Sequence, residues 1–360
     1  MSKEVLKVLQ EAVLFRMRPK VSHLILHVTN ICNFRCNHCF VEFAEKPKDL
    51  TLDEVEQVAQ VFNDLIWLDI GGGEPFIRED LPEIIAKFKA REVSIPTNGW
   101  FTEKIFVVIK RIQETSGIKN LILTISIDGM PETHDEIRQK KGSFDQLSKT
   151  YELIRKNFPE LRIKINTVLN NRNLQEIIPL MKRVQEEMKP DFHSILFLRG
   201  SPINPDYRLP DTKEIRALED RIFEIQQEYL YGRKGVLSDI QRNYQWIKRE
   251  VANQIVEKNT QVIPCLGGQA HVVVYANGDV APCELLSRVG SIRKTPLLEI
   301  LNGPAWEKAV KGIKAKECNC THDCNMVENV LFNFNLYPQL LFGSKTLAAK
   351  NGAPMQSPLK

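Results

Sequence analysis

The sequence contains no long uninterrupted apolar run, which excludes two classes of protein. Near the N-terminus, Lys3, Glu4, Lys7 and Glu11 interrupt the apolar residues, so this segment lacks the apolar core of a secretory signal. The longest late apolar stretch, 330–342, contains polar residues and a proline and is too short to span a bilayer. We therefore expect a cytoplasmic protein with no membrane crossing.

An excess of charge of one sign is also absent. The 360 residues include 49 Lys and Arg against 45 Asp and Glu, so the surface is mixed and only slightly basic. Such a balance gives no electrostatic reason for a nucleic-acid partner. The composition is that of a globular protein, and the length allows one large and one small domain.

What the sequence does have is clustered cysteine. Three of the eight cysteines, Cys32, Cys36 and Cys39, lie in one short run. Reducing compartments keep thiols free, so clusters of this kind favour metal ligands over disulfides. A [4Fe-4S] cluster held by protein alone takes four thiolates, so three would leave one iron open. A zinc site is the alternative, because His38 lies close enough to supply a fourth ligand. Five further cysteines follow late in the chain: Cys265, Cys283, Cys318, Cys320 and Cys324.

Short apolar runs alternate with segments of helical spacing over residues 23–199. This alternation predicts six strands in a parallel sheet, curled by right-handed crossovers into a full or partial barrel. Ligands would gather at the carboxyl ends of the strands, where the first three cysteines lie. The expected strands are Leu24–Val28, Leu65–Ile70, Val93–Ile95, Leu121–Ile127, Leu161–Leu169 and Ile195–Leu198.

Local signals mark other elements. Thr51 and Glu54 form a capping box that begins a helix, and Asn277-Gly278 predicts a hairpin turn. The apolar residues between Val5 and Met17 suggest a helix that either docks on the barrel, which we favour, or lies on a membrane surface. The expected divisions are an N-terminal helix at 1–22, a barrel at 23–200, a linker and helical segment at 201–261, a small domain at 262–342 and a frayed tail at 343–360.

The three clustered cysteines after strand one and Gly71–Pro75 after strand two together resemble the radical S-adenosylmethionine (SAM) enzyme family. The resemblance implies an α/β fold with a partial (β/α)6 barrel. It also implies a [4Fe-4S] cluster on Cys32, Cys36 and Cys39 whose open iron binds SAM, and reductive cleavage of SAM to a 5'-deoxyadenosyl radical. A reductant such as flavodoxin or ferredoxin would supply the electron.

The same resemblance implies residues that contact SAM. The glycine-rich segment would meet the methionine amino group, Ser126 and Arg138 would hold the carboxylate, and His38 would stack on adenine where the family usually has an aromatic residue. Arg138 suits this role because its planar fork can pair with a carboxylate through two hydrogen bonds. Asp128 is equally well explained as a turn residue, and no catalytic residue is assigned. The expected SAM-contacting residues are Gly72, Gly73, Glu74, Ser126, Arg138 and His38.

The later cysteines resemble the SPASM or twitch extension, which carries auxiliary [4Fe-4S] clusters. Five thiols fit one such cluster with one to spare: Cys265, Cys283 and Cys324 would be joined by either Cys318 or Cys320. His322 lies close to this set, and a zinc knuckle is the alternative. The spare thiol would be either reactive or, as we favour, a small buried apolar residue.

The resemblance implies an enzyme that abstracts hydrogen from an unactivated C–H bond, with oxidation or cross-link formation as the expected outcome. The substrate, a peptide, lipid or sugar-type molecule, is not identified by the sequence. Only 31 residues precede Cys32, so we expect recognition of a peptide leader to need a separate partner. A non-catalytic iron-sulfur electron carrier or zinc protein is the alternative function.

Overall fold

The structure, a computed structural model, describes residues 3–17, 19–43, 48–231 and 236–343. Beyond residue 343, the expected frayed tail lies outside the described residues. The first helix, α1 (Lys3–Met17), packs on the protein through Ala12 and Phe15, whose ring centroid lies 5.1 Å from that of Phe332. No helix in the described ranges is long and apolar enough to cross a membrane.

One nine-stranded sheet organises the chain. The first six strands run parallel and lie side by side in sequence order, which confirms the expected α/β partial barrel. The third and sixth strands begin three residues earlier than the apolar runs indicated. The six strands are β1 (His23–Thr29), β2 (Leu65–Gly72), β3 (Ala90–Thr97), β4 (Leu121–Ser126), β5 (Arg162–Leu169) and β6 (Phe192–Phe197).

Helices connect the parallel strands. The capping box is confirmed, since the Thr51 side chain accepts a hydrogen bond from the Glu54 amide and the Glu54 carboxylate accepts one from Thr51. The helix expected after β5 is interrupted: it opens with a 3-10 turn and closes with a π-helical turn at Val184–Met188. The helices of this region are α2 (Leu52–Val61), α3 (Leu81–Ala86), α4 (Thr102–Thr115), α5 (Pro131–Arg138), α6 (Ser143–Asn157) and α7 (Ile177–Arg183).

The main core lies between the sheet and these helices. Alternate residues of a strand point to opposite faces, so Leu24, Leu26 and Val28 of β1 pack in this core. His23 and His27 lie on the other face of the strand. We call this second side of the sheet the inner face, and both histidines are buried there in hydrogen bonds to acidic residues.

The predicted hairpin forms and extends the same sheet. Its strands, β7 (His271–Val274) and β8 (Asp279–Ala281), are antiparallel and joined at Gly278, whose φ of +87° suits glycine. On its other edge β7 pairs in parallel with β1, His23 being opposite His271. No pattern in the sequence indicates this pairing. The second unit therefore continues the barrel sheet through hydrogen bonds, while the expected domain boundaries remain predictions.

The remaining elements of the described residues include one short strand and six α-helices, which follow β6 or β8 along the chain. Two long helices follow β6, in agreement with the expected helical segment, although residues 232–235 between them lie outside the described ranges. A two-residue strand, β9 (Gly290–Ser291), pairs with β8. The helices are α8 (Thr212–Tyr231), α9 (Val236–Lys258), α10 (Leu297–Leu301), α11 (Pro304–Lys314), α12 (Asp323–Leu331) and α13 (Tyr337–Phe342).

Candidate metal and cofactor sites

The loop after β1 places three thiols on one open cleft at the carboxyl ends of the parallel strands. The cleft has a volume of about 450 Å³. Five of the six expected SAM-contacting residues lie on it, and His38 is not among the described residues that line it. The lining is formed by Cys32, Phe34, Cys36, Cys39, Phe43, Gly72, Gly73, Glu74, Pro96, Thr97, Asn98, Ser126 and Arg138.

The glycine-rich end of β2 packs directly on the backbone that precedes Cys32. A Cβ atom on Gly72 would lie 2.2 Å from the carbonyl oxygen of Thr29, and one on Gly73 would lie 2.0 Å from that of Ile31. The Gly73 amide donates to the Thr29 carbonyl at 2.8 Å. Glycine is thus required here by the approach of two chain segments, whatever the segment also contacts in the cleft.

Glu74 is buried with its carboxylate held by the end of β3. One oxygen, Oε1, accepts hydrogen bonds from the Thr97 hydroxyl at 2.8 Å and the Phe76 amide at 3.3 Å, and Oε2 accepts one from the Asn98 amide at 2.8 Å. Burial raises the pKa of Glu74 to about 7, although these donors act to lower it. The Asn98 side chain then donates to Asn33 at 2.8 Å, which links β3 to the cysteine loop.

Arg138 and Asp128 form a buried ion pair beside the thiols. Arg138 Nε lies 2.6 Å and Nη2 2.5 Å from Asp128 Oδ2, and Nη1 lies 3.8 Å from Cys36 Sγ. Burial is the largest influence and acts to raise the pKa of Asp128, but the Arg138 charge, together with His38, His134 and the Val168 amide, outweighs it and the net pKa is lowered. Asp128 is therefore the ion-pair partner of Arg138, a contact that its interpretation as a turn residue did not include.

His38 is buried next to the same pair. Its Nε2 lies 3.7 Å from Asp128 Oδ2, and its Nδ1 has no hydrogen-bond partner among the described residues. Burial lowers the pKa of His38 to about 4, with Asp128 acting in the opposite direction, so the ring is neutral near pH 7. Its expected contact with adenine remains a prediction.

A second cavity, of about 620 Å³, is lined by four of the five later thiols: Cys265, Cys283, Cys318 and Cys320. Two amide groups are directed at these sulfurs. Asn325 Nδ2 lies 3.4 Å from Cys283 Sγ, and Gln261 Nε2 lies 3.8 Å from Cys318 Sγ. Hydrogen bonds to the sulfurs are among the protein groups that tune an iron-sulfur cluster.

Cys324 lies elsewhere, on the inner face of the sheet, and this differs from the set expected from the sequence. It packs against Ile25 and Val273 and hydrogen-bonds with Asp69. The helical phase of α12 explains the difference, because residues four apart share a face. Asn325 and Asn329 line the thiol cavity, while Cys324 and Glu328 belong to another face of the helix.

Both thiol sets fit iron-sulfur clusters by their donor chemistry. Each thiolate of a [4Fe-4S] cluster binds its own iron, so sulfurs spread around a cavity suit such a cluster. In the described parts of the chain, no three His, Cys, Asp or Glu side chains converge to hold a single metal ion. Burial raises the pKa of the Cys36 thiol to about 12, with Arg138 lowering it, so metal binding must displace a proton there.

One group of polar contacts between the two thiol sites had no signal in the sequence. The carboxylate of Glu284, the residue after Cys283, hydrogen-bonds with His27 and His322 and lies 3.4 Å from Arg199. Four separate segments supply these residues, so only the folded structure brings them together.

Comparison with known proteins gives two family matches. Residues 26–184 match the radical SAM superfamily, and residues 265–325 match an iron-sulfur cluster-binding domain named SPASM. Together these segments make up more than half of the chain. The first contains the cleft with three thiols, and the second contains all five later cysteines.

Individual relatives are more distant. The chain is 28% identical over 205 residues to the Fe-coproporphyrin III synthase of Methanosarcina barkeri, covering 53% of this chain and 49% of the relative. It is 25% identical over 304 residues to the antilisterial bacteriocin subtilosin biosynthesis protein AlbA of Bacillus subtilis, covering 81% and 61%. The chain thus spans about half to three fifths of the length of these two relatives.

A solved structure supports the fold. Streptococcus suis SuiB bound to the precursor peptide SuiA matches with a TM-score of 0.58 at 14% identity, covering 99% of this chain and 79% of that one. SAM, the [4Fe-4S] cluster that binds it and auxiliary iron-sulfur clusters are the cofactors of proteins with these two domains. The chain belongs to the radical SAM superfamily and carries a C-terminal SPASM iron-sulfur domain.

Proposed function

We propose that this protein is a radical SAM maturase that oxidises or cross-links a peptide by abstracting hydrogen from an unactivated C–H bond. The observation that carries the proposal is the cleft where Cys32, Cys36 and Cys39 meet Glu74 and Arg138. An electron carrier or a zinc protein has no need of a carboxylate and a guanidinium beside its thiols. When bound there, SAM and its cluster supply the 5'-deoxyadenosyl radical.

Glu74 is suited to receive the methionine amino group of SAM. A carboxylate has about four lone-pair positions, and protein donors occupy three of those on Glu74. The position that remains is on Oε2, at the wall of the cleft. The carboxylate is therefore held in place before SAM arrives, and this lowers the entropy lost on binding.

Arg138 is suited to the carboxylate of SAM, with Ser126 beside it at the end of β4. Two of its five N–H groups bond Asp128, and one points toward Cys36. Two N–H groups remain for a ligand. In this proposal Gly72 and Gly73 provide the floor of the cleft. His38 stacks on the adenine of SAM from its position next to Asp128.

A peptide substrate is supported by the relatives and by the inner face of the sheet. AlbA, a bacteriocin biosynthesis protein, matches 81% of this chain, whereas the porphyrin synthase matches 53%. Asp69, Ser94 and Thr124 lie on the inner face, the two hydroxyl groups 3.4 Å apart. Polar groups of this kind suit the amides of a peptide better than an apolar lipid chain.

The test begins with SAM cleavage. Anaerobically reconstituted protein is incubated with SAM and dithionite, and release of 5'-deoxyadenosine is measured. The matched control changes Cys32, Cys36 and Cys39 together to Ala, which should remove about four irons and all cleavage while the second cluster's spectrum stays. Absence of 5'-deoxyadenosine from fully reconstituted protein would support the electron carrier instead.

The substrate class is tested separately. Peptides encoded beside the gene are incubated with the active protein, and their masses are compared with those of the same peptides incubated with the triple Ala variant. We expect loss of two hydrogens from a peptide that the wild type alone modifies. Modification of an iron porphyrin, with every peptide unchanged, would contradict the peptide assignment but keep the radical chemistry.

A further inference from the structure

We infer that Glu284 is a positioning residue that fastens the auxiliary-cluster segment to the barrel. It follows Cys283 directly, and its carboxylate contacts His27 of β1, Arg199 just after β6 and His322 in the loop before α12. We call these four residues the Glu284 junction. The inference rests on the proposed function only in that the later thiols hold an iron-sulfur cluster.

The geometry of the junction is that of a buried carboxylate with partners on both oxygens. Oε1 lies 2.7 Å from His27 Nε2, while Oε2 bonds His322 Nε2 and lies 3.4 Å from Arg199 Nη2. The Glu284 side chain is 8% exposed, and that of His322 is fully buried. A buried carboxylate is tolerated only with such partners, so loss of one side leaves the other uncompensated.

The barrel is shaped to present His27 to this carboxylate. A Cβ atom on Gly71, in the neighbouring strand β2, would lie 3.0 Å from His27 Cδ2. On its other side the imidazole contacts the ring of Tyr275, with 4.8 Å between centroids. Gly71 thus has a physical role apart from the cleft, because it leaves room for the ring that meets Glu284.

Each arm of the junction leads to a loop that carries thiols. His27 lies on β1, five residues before Cys32 in the loop that follows, and His322 lies two residues after Cys320. The Arg199 guanidinium lies 5.0 Å from the ring centroid of Phe40, the residue after Cys39. The carboxylate therefore connects the surroundings of both thiol sites, and its negative charge lies next to the second.

Two consequences follow for the protein with its clusters bound. Without the carboxylate, the segment that carries Cys283 and the loop that carries Cys320 lose this side-chain link to β1, while the pairing of β7 with β1 remains. Groups that orient metal ligands typically change metal affinity by about 10-fold to 100-fold when they are removed. Loss of a nearby negative charge should also shift the reduction potential of the second cluster upward.

The experiment measures iron release from the reconstituted full-length protein to a chelator, together with the electron paramagnetic resonance signal of the reduced clusters. Adding SAM identifies the first cluster, because only its signal should change. We expect Glu284→Gln to release the second set of irons roughly tenfold faster than wild type. In this variant the electron paramagnetic resonance signal of the second cluster should change in line shape, and the cluster should be reduced at a higher potential.

Two further variants make the result decisive. His27→Gln removes the contact of the junction with β1 and leaves the segment that carries Cys283 unchanged, and it should accelerate iron release as Glu284→Gln does. Glu42→Gln, which removes an exposed carboxylate paired with Arg288, is the matched control and should behave as wild type. Unchanged iron release and signal in Glu284→Gln would overturn the inference.

A response to Glu284→Gln but not to His27→Gln would also overturn it, since the link from the carboxylate to β1 would then contribute nothing. These readouts do not depend on turnover. Failure of SAM cleavage or of peptide modification would therefore leave the junction testable, and the two proposals can fail separately.

Discussion

Arg138 binds Asp128 with two of its nitrogen atoms and turns a third toward Cys36. The distances to Asp128 Oδ2 are 2.6 Å from Nε and 2.5 Å from Nη2, and Nη1 is 3.8 Å from Cys36 Sγ. Asp128 is itself fixed, because its Oδ1 accepts a hydrogen bond from the Val168 amide at 2.8 Å. The guanidinium is thus oriented by β5 before it meets a ligand.

This pair predicts a loss of stability when one partner is removed. Arg138→Ala leaves Asp128 as a buried unpaired charge, so the free energy of unfolding should fall by about 3 kcal/mol. Asp128→Asn combined with Arg138→Ala should recover most of this loss. Denaturant unfolding of the reconstituted proteins measures both values, and equal stability of Arg138→Ala and wild type would contradict the prediction.

SAM affinity is the second property that depends on Arg138. If its free N–H groups hold the SAM carboxylate, Arg138→Ala should weaken SAM binding by about 2 kcal/mol. Equilibrium binding under anaerobic conditions measures this value. Unchanged affinity in Arg138→Ala would remove Arg138 from the SAM site and leave it as the partner of Asp128.

Gly73 should tolerate no side chain. Its Cβ would lie 2.0 Å from the Ile31 carbonyl oxygen and 3.1 Å from the Cys32 amide nitrogen, so Gly73→Ala must displace the cysteine loop. We expect iron content to fall by about four per chain, with the second cluster retained. Gly117→Ala is the control: its Cβ meets nothing within 4 Å, although its φ of +65° should cost about 1 kcal/mol. Full iron content in Gly73→Ala would contradict the steric argument.

The sequence predicted those features whose causes are local. The first three thiols share one loop. The strands β1 to β6 are visible in the sequence as apolar runs that alternate with segments of helical spacing. The pairing of β7 with β1 was not predictable, because it joins strands about 250 residues apart. The contacts of Glu284 were not predictable for the same reason, since its partners come from three distant segments.

The placement of Cys324 is an intermediate case. The resemblance implied that Cys324 joins Cys265 and Cys283, but α12 begins at Asp323 with no side-chain cap to mark the start. Once the helix begins there, Cys324 shares a face with Glu328. The polar pair Asn325 and Asn329, four residues apart, could have indicated the face that meets the thiol cavity.

The ligands of the second cluster can therefore be distinguished by single substitutions. In the background with Cys32, Cys36 and Cys39 changed to Ala, Cys318→Ser and Cys320→Ser should each destabilise a cluster of about four irons. Cys324→Ser should keep those irons, because its sulfur contacts Asp69 instead of the cavity. Iron analysis and electron paramagnetic resonance give the answer. Loss of the cluster in Cys324→Ser, with retention in Cys318→Ser, would restore the set expected from the sequence.

His23 predicts a dependence of stability on alkaline pH. Burial alone would lower its pKa, but Glu328 and Asp69 raise it to about 10 from an ordinary value of 6.5. Its nitrogens lie 2.7 Å from Glu328 Oε1 and 3.1 Å from Asp69 Oδ2. Because the pKa in the folded protein is raised, this stabilisation is complete below about pH 6.5 and is lost as the pH rises through 10.

Denaturant unfolding of wild type and His23→Gln between pH 6.5 and 10 tests this directly. The difference in unfolding free energy should shrink across the range by on the order of 2–4 kcal/mol. His193→Gln is the matched control, since burial lowers the pKa of His193 to about 3 and its ring stays neutral throughout. A difference between wild type and His23→Gln that did not vary with pH would mean that His23 is uncharged, and its two carboxylate partners would then need another source of positive charge.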